Sequence, residues 1–534
     1  MRRYQQALVA CFAILFAFAA AGGPDGRPEE SPSQSITLAE LRDHMFYLAS
    51  DELEGRMTGE EGYRIAARYC VTQFRAAGLQ PIWTNDEDVA GFLQPVPLVR
   101  SRTGEGNSLT LVRGDEETVF EIGERYLLPE AGDPEGLQAI EAELLFVGYG
   151  IHEPEHGWDD YDGLEVESRV VVFLLGAPRR DGEPVLPGEL HAGYAHTMRG
   201  SVRKAAAAAE LGAAAVAIVP NMDIAFGWNM IRNFLGRDRI SYAGEEGGGA
   251  ESPIPILLLH PMLVNELFDG TDFNPMRFQQ SGDLEEYRRF ELDGVRLRLA
   301  VDVVRTEFCE QNVVAMVPGT DPELADQYIT VGAHLDHVGM RGDQVMNGAD
   351  DNASGSVAIL EAAEAVAMAP PRRPVIFILY AAEEVGLFGS RYFADHPPVP
   401  IGEVMVNINL DMVGRTDPRL EETGGIFAIG STKLCMELHD AVVAANERVG
   451  LPLDFSLDEN DPQNYFGRSD HYNFHRHGVP TVFFSSGEHA DYHQPSDDAD
   501  RIEYAKLQQV SRLVYELVMA LGDREEPLCA DRER

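Results

Sequence analysis

The chain has 534 residues, 44% hydrophobic and 9% aromatic, enough for more than one globular core and too apolar for general disorder. Asp and Glu total 88 against 43 Lys and Arg, and the net charge of −45 argues against nucleic acid or an anionic membrane as partner. Only Lys204, Lys433 and Lys506 are lysines, which fits either a salt-adapted acidic surface or a GC-rich genome that favours Arg over Lys.

The chain opens "MRRYQQALVACFAILFAFAAAGGPDG". Arg2 and Arg3 precede a short apolar stretch, Ala7 to Ala21, followed by small residues and Gly-Pro. Residues 1–21 therefore read as a secretory signal peptide, too short for a comfortable membrane span. Export to the periplasm or the exterior is the expectation, with no stable membrane insertion after cleavage. "LVAC" resembles a lipoprotein box, but the apolar stretch continues past Cys11, which disfavours a lipid anchor. Cys70, Cys309, Cys435 and Cys529 then remain, spaced unlike either a disulfide framework or a zinc finger. Cys435 and Cys529 pair, or all four stay reduced.

Residues 22–35 are polar and Pro/Ser-rich, a linker. "TLAELRDHMFYLAS" has helical periodicity, and "EGYRIAARYCVTQFRAAGLQP" supplies a second helix stopped by Gly78. Residues 92 to about 130 read as short strands and turns. From 135 to 295, "AELLFVGYGI", "VVVFLLGAP", "KAAAAAELGAAAVAIVP" and "PIPILLLHPMLV" supply strands and helices able to form their own small core. That block is expected to be an inserted domain, flanked by catalytic segments at 36–134 and 296–524 and followed by a tail at 525–534. No cluster of catalytic residue types stands out within it, so it is expected to influence access to a cleft.

Beyond residue 310 strand and helix alternate. Strands are expected at "YITVGA", "PVIFILYA", "VMVNINL" and "PTVFFSS", with helices at 354–369, 386–396, 432–448 and 502–521. The pattern predicts an α/β fold with a mixed, largely parallel sheet flanked by helices. Sites in such sheets collect at the carboxyl ends of strands.

Those ends are where the chemistry lies. The first strand leads into His334 and Asp336, and the loop after it carries Asp350 and Asp351. The second gives Glu383 and Glu384, the third Asp411, and the fourth is followed by His489 and His493. Histidines and carboxylates suit zinc, and one carboxylate can join two ions. Taken singly, "EE" is a solvated pair, "DD" an N-cap and "HxD" little information. Four strand ends with compatible ligands, in order, favour the metal reading. His337 reads as local packing or surface rather than a ligand, and His471, His475 and His477 are also set aside.

"GAHLDHVG", "NGADDNASG", "AAEEVGLFGS", "NLDMVG" and "DYHQPSDD" together resemble the dizinc aminopeptidase family, bacterial leucyl aminopeptidase-like and related to glutamate carboxypeptidase and the transferrin receptor. "VFLLGAP" and "KAAAAAELGAAAVAIV" more loosely resemble its inserted protease-associated domain. The resemblance implies two zinc ions bridged by Asp351, one completed by His334 and Asp411 and the other by Glu384 and His493. Glu383 is then the general base for a zinc-bridging water, and Asp336 holds the tautomer and orientation of His334. Tyr492 is a candidate for stabilising the oxyanion. Asp350 is a neighbour, and His493 is preferred to His489 for its "YHQPSD" context. Peptides are the implied substrates, cleaved at the N-terminal residue. A carboxypeptidase of the same clan would instead need cations, and Arg341, Arg415 and Arg468 lie near the motifs. The full ligand set argues against a glutaminyl-cyclase-like transferase or a non-catalytic receptor-like protein. Oligomeric state and side-chain preference are not written in any motif.

Overall fold

A computed structural model describes residues 32–83, 89–132, 138–195, 197–236, 238–243, 252–282 and 284–529. The expected signal peptide and most of the Gly-rich acidic loop at 243–252 lie outside the described residues. Two compact units emerge, one formed by Met1–Val96 with Cys309–Arg534, the other by Pro97–Phe308.

The first unit contains α1 (Leu38–Leu48), α2 (Glu61–Ala76), β1 (Val303–Val317, entering the unit at Cys309), β2 (Tyr328–His334), α3 (Gly355–Met368), β3 (Val375–Tyr380) and α4 (Phe388–Asp395). It continues with β4 (Val404–Leu410), β5 (Ile426–Ile429), α5 (Met436–Asn446), β6 (Leu453–Asp454), α6 (His471–Arg476), β7 (Thr481–Ser485) and α7 (Tyr504–Gly522). Its strands run β1-β3-β2-β4-β7-β5-β6 across the sheet. β3, β2, β4 and β7 are mutually parallel, while β1 and β5 join antiparallel at either flank. The central strands are apolar almost throughout because both faces are covered. Ile376, Ile378 and Tyr380 pack with Phe393 and Phe474, while Phe377, pointing the other way, meets Phe74 of α2. α3 is apolar nearly all round and correspondingly buried, packed on β2 and α7. Its parallel strands all deliver their carboxyl ends to one edge, where the metal-capable residues begin. Cys435, just before α5, is disulfide-bonded to Cys529, with Cα atoms 6.0 Å apart. Cys70 is free and buried, and Cys309 is free and exposed.

The second unit is wider at both ends than the expected 135–295 insertion. Its eight-stranded sheet runs, by residue range, 116–120, 108–113, 290–301, 138–146, 170–174, 215–219, 255–259, 126–131. Strand 108–113 pairs with 295–300, so segments assigned by sequence to the catalytic flanks belong to this core. Such a boundary is set by pairing across almost 200 residues, which local patterning does not encode.

Lys204 is 1% exposed in this unit, donating to the Leu174 and Gly176 carbonyls at 2.9 and 2.6 Å. Burial pulls its amine down to about 7, opposed by the Asp160 charge. Below that pH the amine is charged folded and unfolded, and its burial cost is felt in full. As pH rises toward the unfolded value of 10.5 the unfolded state binds the extra proton, so folding gains. We predict that the stability gap between wild type and Lys204→Met shifts toward wild type by about 2 kcal/mol from pH 7 to pH 9. Denaturant melts at the two pH values would measure it, and a pH-independent gap would refute it.

Candidate metal centre

Asp351 sits at the middle of the site, 3% exposed. Its Oδ1 is 3.4 Å from His334 Nε2, and its Oδ2 is 3.0 Å from His493 Nε2. Asp411 Oδ1 lies 3.3 Å from His334 Nε2, and Glu384 Oε2 lies 3.2 Å from His493 Nε2. Glu383 Oε2 is 3.8 Å from His334 Nε2. Among the described residues the donor atoms fall into two groups, each within 4.8 Å: His334, Glu383 and Asp411, and His337, Asp351, Glu384 and His493. Asp351 thus turns one oxygen toward each group.

The backbone is built to hold these positions. Asp497 accepts from the N–H groups of Asp350 and Asp351, fixing the turn that precedes α3. Asn352 Nδ2 donates to the Leu410 carbonyl, and its Oδ1 accepts from Met412 N–H, tying that turn to the end of β4. Arg56, fully buried, donates to the carbonyls of Leu48, Leu335, Asn347 and Gly348. Ala382, Met412 and His493 have φ of 57°, 57° and 53°, each beside or within a ligand segment. Left-handed backbone at non-glycine residues is costly and concentrates where geometry is functional.

Asp336 behaves differently from expectation. Its carboxylate is 3.9 Å from His334 Nδ1, beyond hydrogen-bond reach, and its backbone carbonyl accepts from that nitrogen at 3.1 Å. The carboxylate instead accepts from Thr58 Oγ1 at 2.8 Å and from Glu383 N–H at 3.1 Å. The strand end bends so that the main chain, not the side chain, faces the imidazole. Asp336 therefore orients His334 through its carbonyl and Glu383 through its carboxylate.

Asp350 Oδ1 accepts from Gly414 N–H and its Oδ2 faces His489 Nε2 at 3.1 Å, which places both residues outside the two groups. His471 stacks on Phe483, His475 packs against Phe466, and His477 pairs with Asp395. Tyr492 stacks on His493 with ring centroids 3.9 Å apart. His337, Arg56, Thr58 and Asp497 were not singled out as site-forming. His337 carried a legible signal, a second histidine directly after "HLD", and Asp497 is the Asp of the "YHQPSD" context; Arg56 and Thr58 carried none.

Electrostatics follow from crowding. Burial holds the Glu383 carboxyl well above the usual range, with Asp411, Asp470 and Glu384 adding to it against His334. Glu384 is pulled below its ordinary range because His337 and His493 outweigh its burial. Burial opposes protonation of His493, yet hydrogen bonds to Asp351 and Glu384 push it up to about 10. Four carboxylates and three imidazoles in one largely buried cluster, with His493 at its exposed side, form a donor set that fits divalent cations of the zinc type. The cluster opens on a cavity of about 340 Å³ whose walls include Leu387, Met412, Tyr465, Phe483 and Tyr492. Arg468 also lines it, held by Glu488 at 2.8 Å, while Arg415 pairs with Asp491 and Arg341 is exposed in a hairpin.

Residues 312–518 match Peptidase family M28. Aminopeptidase YwaD of Bacillus subtilis is 30% identical over 228 residues, covering 41% of this chain and 47% of that protein. Leupeptin-inactivating enzyme 1 of Streptomyces exfoliatus is 32% identical over 193 residues, covering 36% of this chain and 38% of that protein. The chain thus spans about half or less of the length of these relatives. Among solved structures, an aminopeptidase from Aneurinibacillus sp. strain AM-1 aligns with TM-score 0.57 at 19% identity, over 94% of this chain and 98% of that one. BSAP, a zinc aminopeptidase from Bacillus subtilis, aligns at 0.50 and 18% identity over 92% and 97%. At these identities the structural likeness establishes a shared fold.

Proposed function

We propose, for a chain whose residues 312–518 form a domain of peptidase family M28, that it is an exported zinc aminopeptidase. The observation that carries this reading is Asp351, with one oxygen toward His334 and the other toward His493. His334, Asp351 and Asp411 would hold one zinc, and Asp351, Glu384 and His493 the other. When bound, two such ions supply Lewis acidity, making a water more acidic and polarising a scissile carbonyl.

The remaining work falls to this chain's side chains. Glu383, kept off the Asp351 bridge, takes the proton of the attacking water and returns it to the departing amine. Asp336 fixes the Glu383 backbone through its N–H, so the carboxylate enters the cavity from a set position. Tyr492, in the cavity wall, donates its hydroxyl to the developing oxyanion in this reading.

The cavity favours a free α-amine over a terminal carboxylate. Asp351, Glu383, Glu384, Asp411 and Glu488 line it, against Arg468, which is already paired. Asp351, Glu384 and Asp411 are committed to metal in this reading, so the distinction rests on Arg468, whose guanidinium is already paired with Glu488 and is not free to grip a terminal carboxylate. Export is supported by the N-terminal pattern and by the Cys435–Cys529 bond, which suits an oxidising compartment. Among the described residues no helix is long and apolar enough to cross a membrane.

Peptides with free or acetylated N-termini, and with free or amidated C-termini, test this. Zinc-loaded protein should cleave only the free-amine set and lose activity to a chelator. Indifference to acetylation with loss on C-terminal amidation would replace this reading with a carboxypeptidase.

A further inference from the structure

His337 is completely buried, although it lies in a polar loop and belongs to no expected ligand set. Its Nδ1 is 2.7 Å from Glu384 Oε1, a hydrogen-bond distance and shorter than the other contacts in its group. The next acceptor, Asp351 Oδ2, is 3.6 Å away, too long for a hydrogen bond. Nε2 has no partner. A neutral imidazole carries one N–H and one lone pair, and a buried orphan N–H is the poorer choice. The proton therefore belongs on Nδ1, where Glu384 Oε1 accepts it.

The ring is held in place from two further directions. Its backbone N–H donates to the Arg56 carbonyl. Gly348, at φ +56, packs directly on it, and a Cβ there would come within 2.4 Å of His337 Cδ2. Glu384 consequently has its two oxygens divided, Oε1 to His337 and Oε2 toward His493 at 3.2 Å.

We propose that His337 is a positioning residue that donates Nδ1–H to Glu384 Oε1 and leaves Oε2 alone as the ligand for the His493-side metal. This rests on the metallopeptidase reading. Partners that orient a ligating carboxylate typically contribute 10–100-fold in metal affinity.

The test is zinc titration of metal-stripped full chain against a competing chelator. Wild type, H337A, H337N and H337Q are compared after near-UV circular dichroism confirms folding. An Asn amide nitrogen reproduces the place of Nδ1, whereas a Gln amide sits one methylene beyond it. H337A and H337Q should weaken one zinc 10–100-fold and leave the other within about twofold. H337N should recover most of that loss, and H337A combined with E384A should bind no more weakly than E384A alone, because the carboxylate that His337 positions is then gone. If H337A does not fold, the Asn–Gln contrast carries the same decision. Unchanged affinities, an equal loss of both zincs, or an Asn variant as defective as Gln would each overturn the proposal. A wild-type chain that binds no zinc tightly would instead bring down the metallopeptidase reading itself.

Discussion

Glu383→Gln should lower kcat on free-amine peptides by about two to four orders of magnitude while bound zinc stays at the wild-type level. Gln matches Glu in volume and keeps the backbone N–H that donates to Asp336 Oδ1, so the turn after β3 is preserved. What it removes is the ability to accept a proton. The side chain stands 3.8 Å from His334 Nε2, farther than either Asp351 or Asp411, as expected of a group that faces the reacting water rather than completing the ligand set. A fall in kcat with little change in KM would locate the loss in the chemical step. Activity within tenfold of wild type would require another base. Loss of zinc along with activity would make Glu383 a ligand, the role suggested by its grouping with His334 and Asp411.

Much of this centre is visible in one dimension because parallel sheets make it so. The strands of the first unit are near-continuous apolar runs, and a charged residue immediately after such a run lies at the carboxyl edge. His334, Glu383, Glu384 and Asp411 could therefore be assigned to one edge without any knowledge of pairing order. α3 was equally legible, its Ala-rich apolar run matching a helix buried on all sides. Residues that act through distant backbone were not. Arg56 reaches the carbonyls of Asn347 and Gly348 across 291 and 292 positions, and Asp497 reaches Asp350 across 147. No local periodicity records such a meeting. Asp336 marks a finer limit, since sequence selects the residue but not which of its oxygens meets His334. The 97–308 unit fails for a related reason, because its edge strands are defined only by partners far along the chain.

Asp351→Asn should reduce the zinc content from two ions per chain to at most one and abolish peptidase activity. A carboxylate offers both oxygens as donors, whereas an amide offers one oxygen and a nitrogen without a lone pair to give. In wild type Oδ1 addresses His334 and Oδ2 addresses His493, so an amide can serve only one side, whichever way it flips. The substitution is nearly isosteric, and the turn is held by Asp497 through backbone N–H groups, which the change leaves intact. Fold loss is therefore not the expected route to the result, and a thermal melt of the metal-free protein checks it. Asp350→Asn provides the contrast. That carboxylate accepts from Gly414 N–H and faces His489, outside both donor groups, so its loss should lower stability and leave two zincs bound. Two zincs retained at wild-type affinity in Asp351→Asn would mean that Asp351 does not join the two metals. The split of its oxygens would then be geometry without coordination.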